Sequence, residues 1–428
     1  MRGSIIAAIT AIGLATPAMA QNAAPALTGR AHDLIAVLNG NIAPDDLFSS
    51  TFLAQIPAEK VTQIASQLST ALGKALTVAD LRQVGPNAAK ITIAYEHGTI
   101  DMDLVIDSDP PNQIVGWRIH SPSAGTKTPD QVIAALQALP GKTGFIVAKL
   151  GDGEPQTLAG SDTDRPLAIG SAFKLVILAE LVRETNAGER KWSDTVTLDG
   201  RELPGGTYTQ IPAGTKVTLL ELAQKMISIS DNSATDILLA TLGRQKVEAM
   251  LPVVGVRDPA RNRPYLSTLE MFKIKGVGRF TTLWPKLDEA GRRALLKQVD
   301  ATPISAIDPQ LFKDGKPVLI ETAEWFFSPA DLVRVVDWLR KHSESGPGAE
   351  ARNILAINPG IGRNADNAQW SYLGYKGGSE PGVIAMAFLL QDKDGWYVIS
   401  GGWNNPAAAV EDARFVGLMA SAVNGLGK

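Results

Sequence analysis

The chain contains one S-x-x-K tetrapeptide, Ser171-Ala172-Phe173-Lys174, inside the apolar stretch IGSAFKLVILAEL. On a helix, positions three apart share a face. A serine hydroxyl is a poor nucleophile until a base takes its proton. A lysine one turn away can do so once desolvation lowers its pKa. The run Leu175–Leu178 would supply that desolvation. Ser171 follows Gly170 at a predicted helix start, where free backbone N–H groups can hold an oxyanion. The chemistry this pattern would serve is acyl transfer through a serine ester; taken alone, the tetrapeptide reads more readily as a helix cap with a surface lysine.

Two further motifs follow in order. Ser230-Asp231-Asn232 lies in ELAQKMISISDNSATDILLATLG, read as helix, polar break and helix. Ser230 can shuttle a proton to a leaving group and Asn232 can hold a substrate carbonyl, while Asp231 or Asn232 serves as the N-cap of a helix ending at Leu242. The K-x-G pattern is common in the chain, among other places at Lys142-Thr143-Gly144, Lys313-Asp314-Gly315, Lys376-Gly377-Gly378 and Lys393-Asp394-Gly395. Lys376 is selected because it follows the S-D-N motif and is read as opening a strong strand. Gly377 and Gly378 there would let a substrate backbone approach. Lys142, which precedes the serine, is expected to cap a strand start. There is no G-x-S-x-G, H-x-H or H-E-x-x-H. A Ser-His-Asp esterase and a metallohydrolase are therefore disfavoured, and no metal or cofactor is expected.

The elements that must position these residues can be sketched from the pattern. The 428 residues are 45 % hydrophobic and 20 % charged, with a net charge of −3 and no cysteine. That describes a packed globular protein without disulfides or thiolate metal sites, and not a nucleic-acid binder. Residues 1–20 carry Arg2, a short apolar run from Ile5 to Leu14 and an A-x-A site at Ala18–Ala20, as in a cleavable signal peptide. A periplasmic or secreted protein without a membrane anchor after cleavage is expected. Residues 29–72 read as helices punctuated by Pro44 and Pro57. KITIAYEH and TIDMDLVID, joined at His97-Gly98, and then QIVGWRIH read as strands. The expectation is a small α+β domain over 25–120, a linker over 121–129 and a second α+β domain over 130–428. The second begins with a helix at 130–139 and the strands GFIVAKL and PQTLAGS. It ends with GVIAMAFLLQD, WYVISGGW and a helix from about Ala407. Strands from both ends of the domain would share one antiparallel sheet.

The ordered motif set resembles the class A β-lactamase and penicillin-binding-protein superfamily over about 130–428. The resemblance implies a five-stranded antiparallel sheet with a helical domain. It also implies Ser171 as nucleophile, Lys174 as base, Ser230 as proton relay, Asn232 as substrate contact and Lys376 as electrostatic anchor. The oxyanion hole would be the N–H groups of Ser171 and Ser379. The implied substrates are small: β-lactams, small esters or D-alanyl peptides. A binding protein without turnover is the alternative. The first domain resembles the nuclear-transport-factor-like (cystatin-like) cone that precedes β-lactamase-like domains in some secreted hydrolases, one type being from the clavulanic-acid pathway. Two departures stand out. The family's E-x-x-L-N segment is absent, and Glu270 in LEMF is the nearest carboxylate, in a setting that reads as a helix with a solvated glutamate. Gly377 also lacks the hydroxyl that helps hold a substrate carboxylate, a role left to Ser379.

Overall fold

The computed structural model describes residues 25–54, 56–96, 98–119, 127–362 and 367–426. The signal-like segment, His97 and residues 121–126 of the expected linker lie outside them. The chain divides into two compact units, 1–120 and 121–428.

The first unit runs α1 (Pro25–Leu38), α2 (Pro44–Leu47), α3 (Ser50–Leu53), α4 (Ala58–Leu72), β1 (Ala75–Gly85), β2 (Ala88–Tyr95), β3 (Gly98–Ile106) and β4 (Ile114–Ile119). Its strands form an antiparallel meander in chain order. Leu27, Ala31, Leu34 and Leu38 make one stripe of α1, and Ala89, Ile91, Ile93 and Tyr95 alternate along β2; both sets enter one core. These are the periods of a helix and a strand that each bury one face.

The second unit opens with α5 (Pro129–Gln137), β5 (Lys142–Leu150), β6 (Gln156–Ser161) and the short β7 (Leu167–Ala168). A 3₁₀ turn, Gly170–Phe173, leads into α6 (Lys174–Asn186). Next come β8 (Thr195–Thr197), β9 (Lys216–Thr218), α7 (Leu219–Ser228), α8 (Asn232–Leu242), α9 (Arg244–Val253), α10 (Thr268–Gly276), α11 (Gly278–Leu283) and α12 (Glu289–Asp300). The chain ends with β10 (Phe326–Phe327), α13 (Pro329–His342), α14 (Glu350–Ala356), β11 (Tyr372–Glu380), β12 (Val383–Asp392), β13 (Gly395–Asn404) and α15 (Asp412–Gly425). The main sheet is five-stranded and antiparallel, in the order β11-β12-β13-β5-β6. Strands from both ends of the unit meet at the β13–β5 pair.

The central strands β5, β12 and β13 are largely buried on both faces, which is why they read as apolar runs. Ile146, Ala148, Leu150, Ala385, Ala387 and Leu389 face the core of α6 and its neighbours. Phe145, Val147, Ile384, Met386, Phe388 and Leu390 face the core that includes residues of α5 and α15. This is the architecture that the resemblance implies: a five-stranded antiparallel sheet with helices on both faces.

Two boundaries differ from expectation. The last helix begins at Asp412 rather than near Ala407, because the Asn405 side chain accepts the Ala407 N–H at 3.1 Å and holds a turn there. Lys376 lies in the middle of β11 and does not open a strand. The glycines interspersed around it weaken the strand signal, and tertiary pairing with β12 overrides that.

Candidate active site

The turn that carries Ser171 is clamped from several sides. Asn404 brackets Ala168, accepting from its N–H at 2.7 Å and donating to its carbonyl at 2.9 Å. Asn262 brackets Phe326 on the paired strand in the same way. The Ile169 N–H reaches the Trp325 carbonyl at 3.1 Å. The Trp325 ring stacks on Phe173 with centroids 3.6 Å apart, and Tyr265 donates its hydroxyl to the Phe173 carbonyl at 2.7 Å. None of these anchors has a motif, and the sequence reading missed them.

Against this turn lies β11. A Cβ at Gly378 would sit 2.1 Å from the Ser171 nitrogen, so only glycine fits. Gly170, at φ +48°, faces the Ser379 nitrogen from the other side. The contact brings the Ser171 and Ser379 backbone amides close together, which suits them to hold a developing oxyanion.

Lys174 is fully buried at the start of α6. Its Nζ donates to the Ser230 carbonyl at 2.6 Å, the Asn232 Oδ1 at 2.8 Å and the Ser230 Oγ at 3.2 Å. Burial pulls its pKa down to about 7, against the opposing charges of Asp236 and Asp231. It is thus partly neutral near pH 7 and competent as a base. The Ser171 hydroxyl forms no hydrogen bond among the described residues.

Ser230 adopts a left-handed backbone, φ +58°, at the break between α7 and α8. Such a conformation costs about 1–3 kcal/mol for a residue with a side chain. It lets Ser230 turn both its carbonyl and its hydroxyl to Lys174. Lys376 Nζ also donates to the Ser230 Oγ, at 3.0 Å, and to the Gly377 carbonyl at 2.6 Å. Burial and the neighbouring Lys174 hold the Lys376 pKa well below the usual lysine value. A hydroxyl that accepts from two amines keeps its own proton free to donate. The four side chains of the three motifs, Lys174, Ser230, Asn232 and Lys376, therefore form one network beside the Ser171 turn.

Asp231 is the N-cap of α8, accepting the Ala234 N–H at 2.8 Å. It also takes the Ser233 hydroxyl and the Thr207 N–H, each at 2.6 Å, and so ties the 206–208 loop to the break. A Cβ on Gly206 would come within 2.5 Å of its carboxylate.

Two expectations are corrected. Ser379 lies three residues beyond Lys376, on the opposite face of the strand. Its hydroxyl faces the Asp412 carboxyl, whose pKa is raised by burial and eased by that serine. The Tyr375 hydroxyl fills the space beside Gly377, 2.1 Å from where a Cβ would lie. This face is a poor receptor for a carboxylate. Glu270 is buried, not solvated. It closes a capping box with Ser267 at the start of α10 and accepts two hydrogen bonds from Arg244, at 2.5 and 2.9 Å. Burial and the adjacent Glu270 push the Asp300 carboxyl up to about 6. Both Glu270 oxygens are thus committed. The literal Lys142-Thr143-Gly144 starts β5, where Lys142 is exposed and pairs with Glu321 at 2.7 Å.

Comparison with known proteins bears on the second unit. Residues 128–286 match the model of the Beta-lactamase enzyme family. Among solved structures, the β-lactamase from Sphaerobacter thermophilus DSM 20745 is similar at 20% identity and TM-score 0.48, covering 70% of this chain and 96% of its own. A structure of PBP-A is similar at 15% identity and TM-score 0.46, covering 70% and 97%. The β-lactamase from Chitinophaga pinensis DSM 2588 is similar at 16% identity and TM-score 0.46, covering 69% and 95%. No curated protein sequence matches the chain.

Proposed function

We propose that the protein is a secreted serine hydrolase that forms an acyl-enzyme on Ser171 with β-lactams and small esters. The observation that carries this reading is the buried Lys174, with a pKa of about 7, bonded to a Ser230 hydroxyl that Lys376 also holds. Lys174 takes the Ser171 proton, directly or through Ser230, as Oγ attacks the substrate carbonyl. The Ser171 and Ser379 amides stabilise the oxyanion. Ser230 then gives its proton to the leaving group and recovers one from the lysine side. Lys376 supplies positive potential, and Asn232 contacts the acyl chain.

Hydrolysis of the ester is the weaker half of the cycle. Each step needs its own proton transfer. Glu270, the nearest carboxylate in plausible register, is locked in its cap and ion pair on α10. A bulky β-lactam ester then turns over slowly, with a burst and a persistent adduct. A small acyl group leaves room for a water that Lys174 can activate. The first unit is proposed as a cone-like packing module without a catalytic part.

Intact-mass measurement after mixing with a penicillin, a cephalosporin and p-nitrophenyl acetate tests this. Wild type should carry one adduct from each β-lactam, and Ser171→Ala none. Labelling of the alanine variant would overturn the assignment of Ser171. A folded wild type labelled by no probe would point instead to a recognition protein without turnover.

A further inference from the structure

A second buried ionic cluster borders the Ser171 turn on the side away from the two lysines. In β11, Lys376, Gly378 and Glu380 point to one face, because side chains alternate along a strand. Lys376 reaches Ser230, and Gly378 backs onto the Ser171 nitrogen. Glu380 is the next residue on that face, two positions beyond Gly378. Its carboxylate meets Lys275 of α10, whose Nζ also contacts Glu324 Oε1 at 2.5 Å. Lys275 and Glu324 are wholly buried, and Glu380 nearly so. Glu324 immediately precedes Trp325, the residue that holds Ile169 and stacks on Phe173. The two glutamates therefore sit on the two segments that press on the nucleophile's turn.

The charges do not balance if all three groups are ionised, since one ammonium faces two carboxylates. The second oxygens, Glu324 Oε2 and Glu380 Oε2, are both buried and take no bond from any donor among the described residues. A buried carboxylate oxygen left bare is costly, whereas a proton between two such oxygens satisfies both. Burial, then the Glu324 charge, raises the Glu380 pKa well above the usual value, against the pull of Lys275. Lys275 from α10 and Glu324 from the segment before β10 are the charged groups that face Glu380.

We propose that Glu380 and Glu324 share one proton beside Lys275, and that this clasp positions the Gly378–Ser379 amides of β11 against Ser171. Glu380 is thus a positioning residue for the proposed acylation, so the catalytic part of the inference rests on that reading. The proton sharing does not. Glutamine at 380 can mimic the protonated acid, donating to Glu324 through its amide nitrogen and accepting from Lys275 through its oxygen. Alanine can do neither.

The experiment compares wild type, Glu380→Gln and Glu380→Ala, each checked for fold by circular dichroism. The first readout is the burst rate with p-nitrophenyl acetate and a fluorescent penicillin. Glu380→Ala should slow the burst at least ~10-fold through a displaced amide, and Glu380→Gln should recover most of that loss. The second readout is Tm from pH 5 to 9. A carboxyl whose folded pKa is raised holds its proton in the native state where the unfolded chain has lost it. Its stabilisation therefore fades as pH rises from the unfolded value through the folded one. Wild type should lose stability over this range relative to Glu380→Gln. A burst in Glu380→Ala equal to wild type, or equal losses in the two variants, overturns the positioning role. Parallel Tm curves for wild type and Glu380→Gln overturn the shared proton. If wild type shows no burst at all, the hydrolase reading fails, while the Tm curves still decide the shared proton.

Discussion

Two buried lysine sites sit on either side of one serine, and they differ in their partners. Lys174 and Lys376 face neutral acceptors: a hydroxyl, two carbonyls and a side-chain amide. Lys275 faces two carboxyls. Burial alone disfavours the charged form of all three. At Lys174 the distant carboxylates recover only part of the loss, and its pKa falls to about 7. At Lys275 two direct contacts outweigh burial, and its pKa rises. The same residue type, equally buried, is easily deprotonated in one place, as the proposed base must be, and a fixed ion in the other. The partner atom decides, not the degree of burial.

The sharpest way to break this comparison is to remove each lysine in turn. Lys174→Ala should slow acylation by about 10²–10⁴-fold, the usual loss for a general base, in single-turnover labelling with a penicillin. An acylation rate within a few-fold of wild type would mean that the base is elsewhere. Lys275→Ala should act mainly on the fold. It leaves two carboxyls buried without their cation, and breaking such a set costs about 3–5 kcal/mol. A drop in the denaturant midpoint at pH 7 would register it, and an unchanged midpoint would refute the ionic description.

A milder test uses pH. For Lys174 the unfolded chain holds a proton that the native state releases between about 7 and the ordinary lysine value of 10.5. Stability contributed by this site should therefore rise with pH through that window. Lys376, with its pKa also lowered, adds in the same sense. Lys275 has the opposite sign, its contribution being full below the unfolded value and lost only above it. Chemical denaturation at pH 7 and pH 9.5 should show that Lys174→Met removes part of the rise seen in wild type. An undiminished rise would assign the titration to another group. Acylation by wild type should climb through pH 7 as Lys174 loses its proton.

Much of this frame was readable from the chain, for physical reasons that differ by region. The Ser171–Lys174 segment stood out because a hydroxyl and an amine in an apolar run are costly without a purpose. The central strands β5, β12 and β13 declared themselves through apolar runs between turns, and Asp231 through its place before α8. The carboxyl clasp did not. Glu380 reads as a polar residue at a strand end, and its direction follows only once the phase of β11 is fixed by Lys376. Glu324 and Lys275 come from a region without motif, brought together by packing distant in sequence. Glu270 misled for a related reason. A glutamate at the third position of a helix after serine is a capping box by sequence, but its burial depends on Arg244 arriving from α9. The left-handed backbone at Ser230 had no signal, since serine is not a residue type that favours it.

The smallest expected effect concerns which K-x-G lysine belongs to the site. Lys142 stands in a literal K-T-G, yet it is about half exposed at the start of β5 and pairs with a similarly exposed Glu321. An exposed pair of this kind is worth about 0–1 kcal/mol, less in salt. Lys376 stands in a degenerate K-G-G, yet it is buried and bonded to Ser230. Lys142→Ala should therefore leave penicillin labelling within about twofold of wild type and shift the denaturant midpoint barely, since only a rim ion pair is lost. Lys376→Ala should weaken labelling by anionic β-lactams more than by neutral p-nitrophenyl acetate, because it removes positive potential from the site. The ratio of the two labelling rates isolates that electrostatic part from any general loosening of β11. Equal losses on both probes would mark Lys376 as a structural lysine. A selective loss of β-lactam labelling in Lys142→Ala would return the choice to the literal motif.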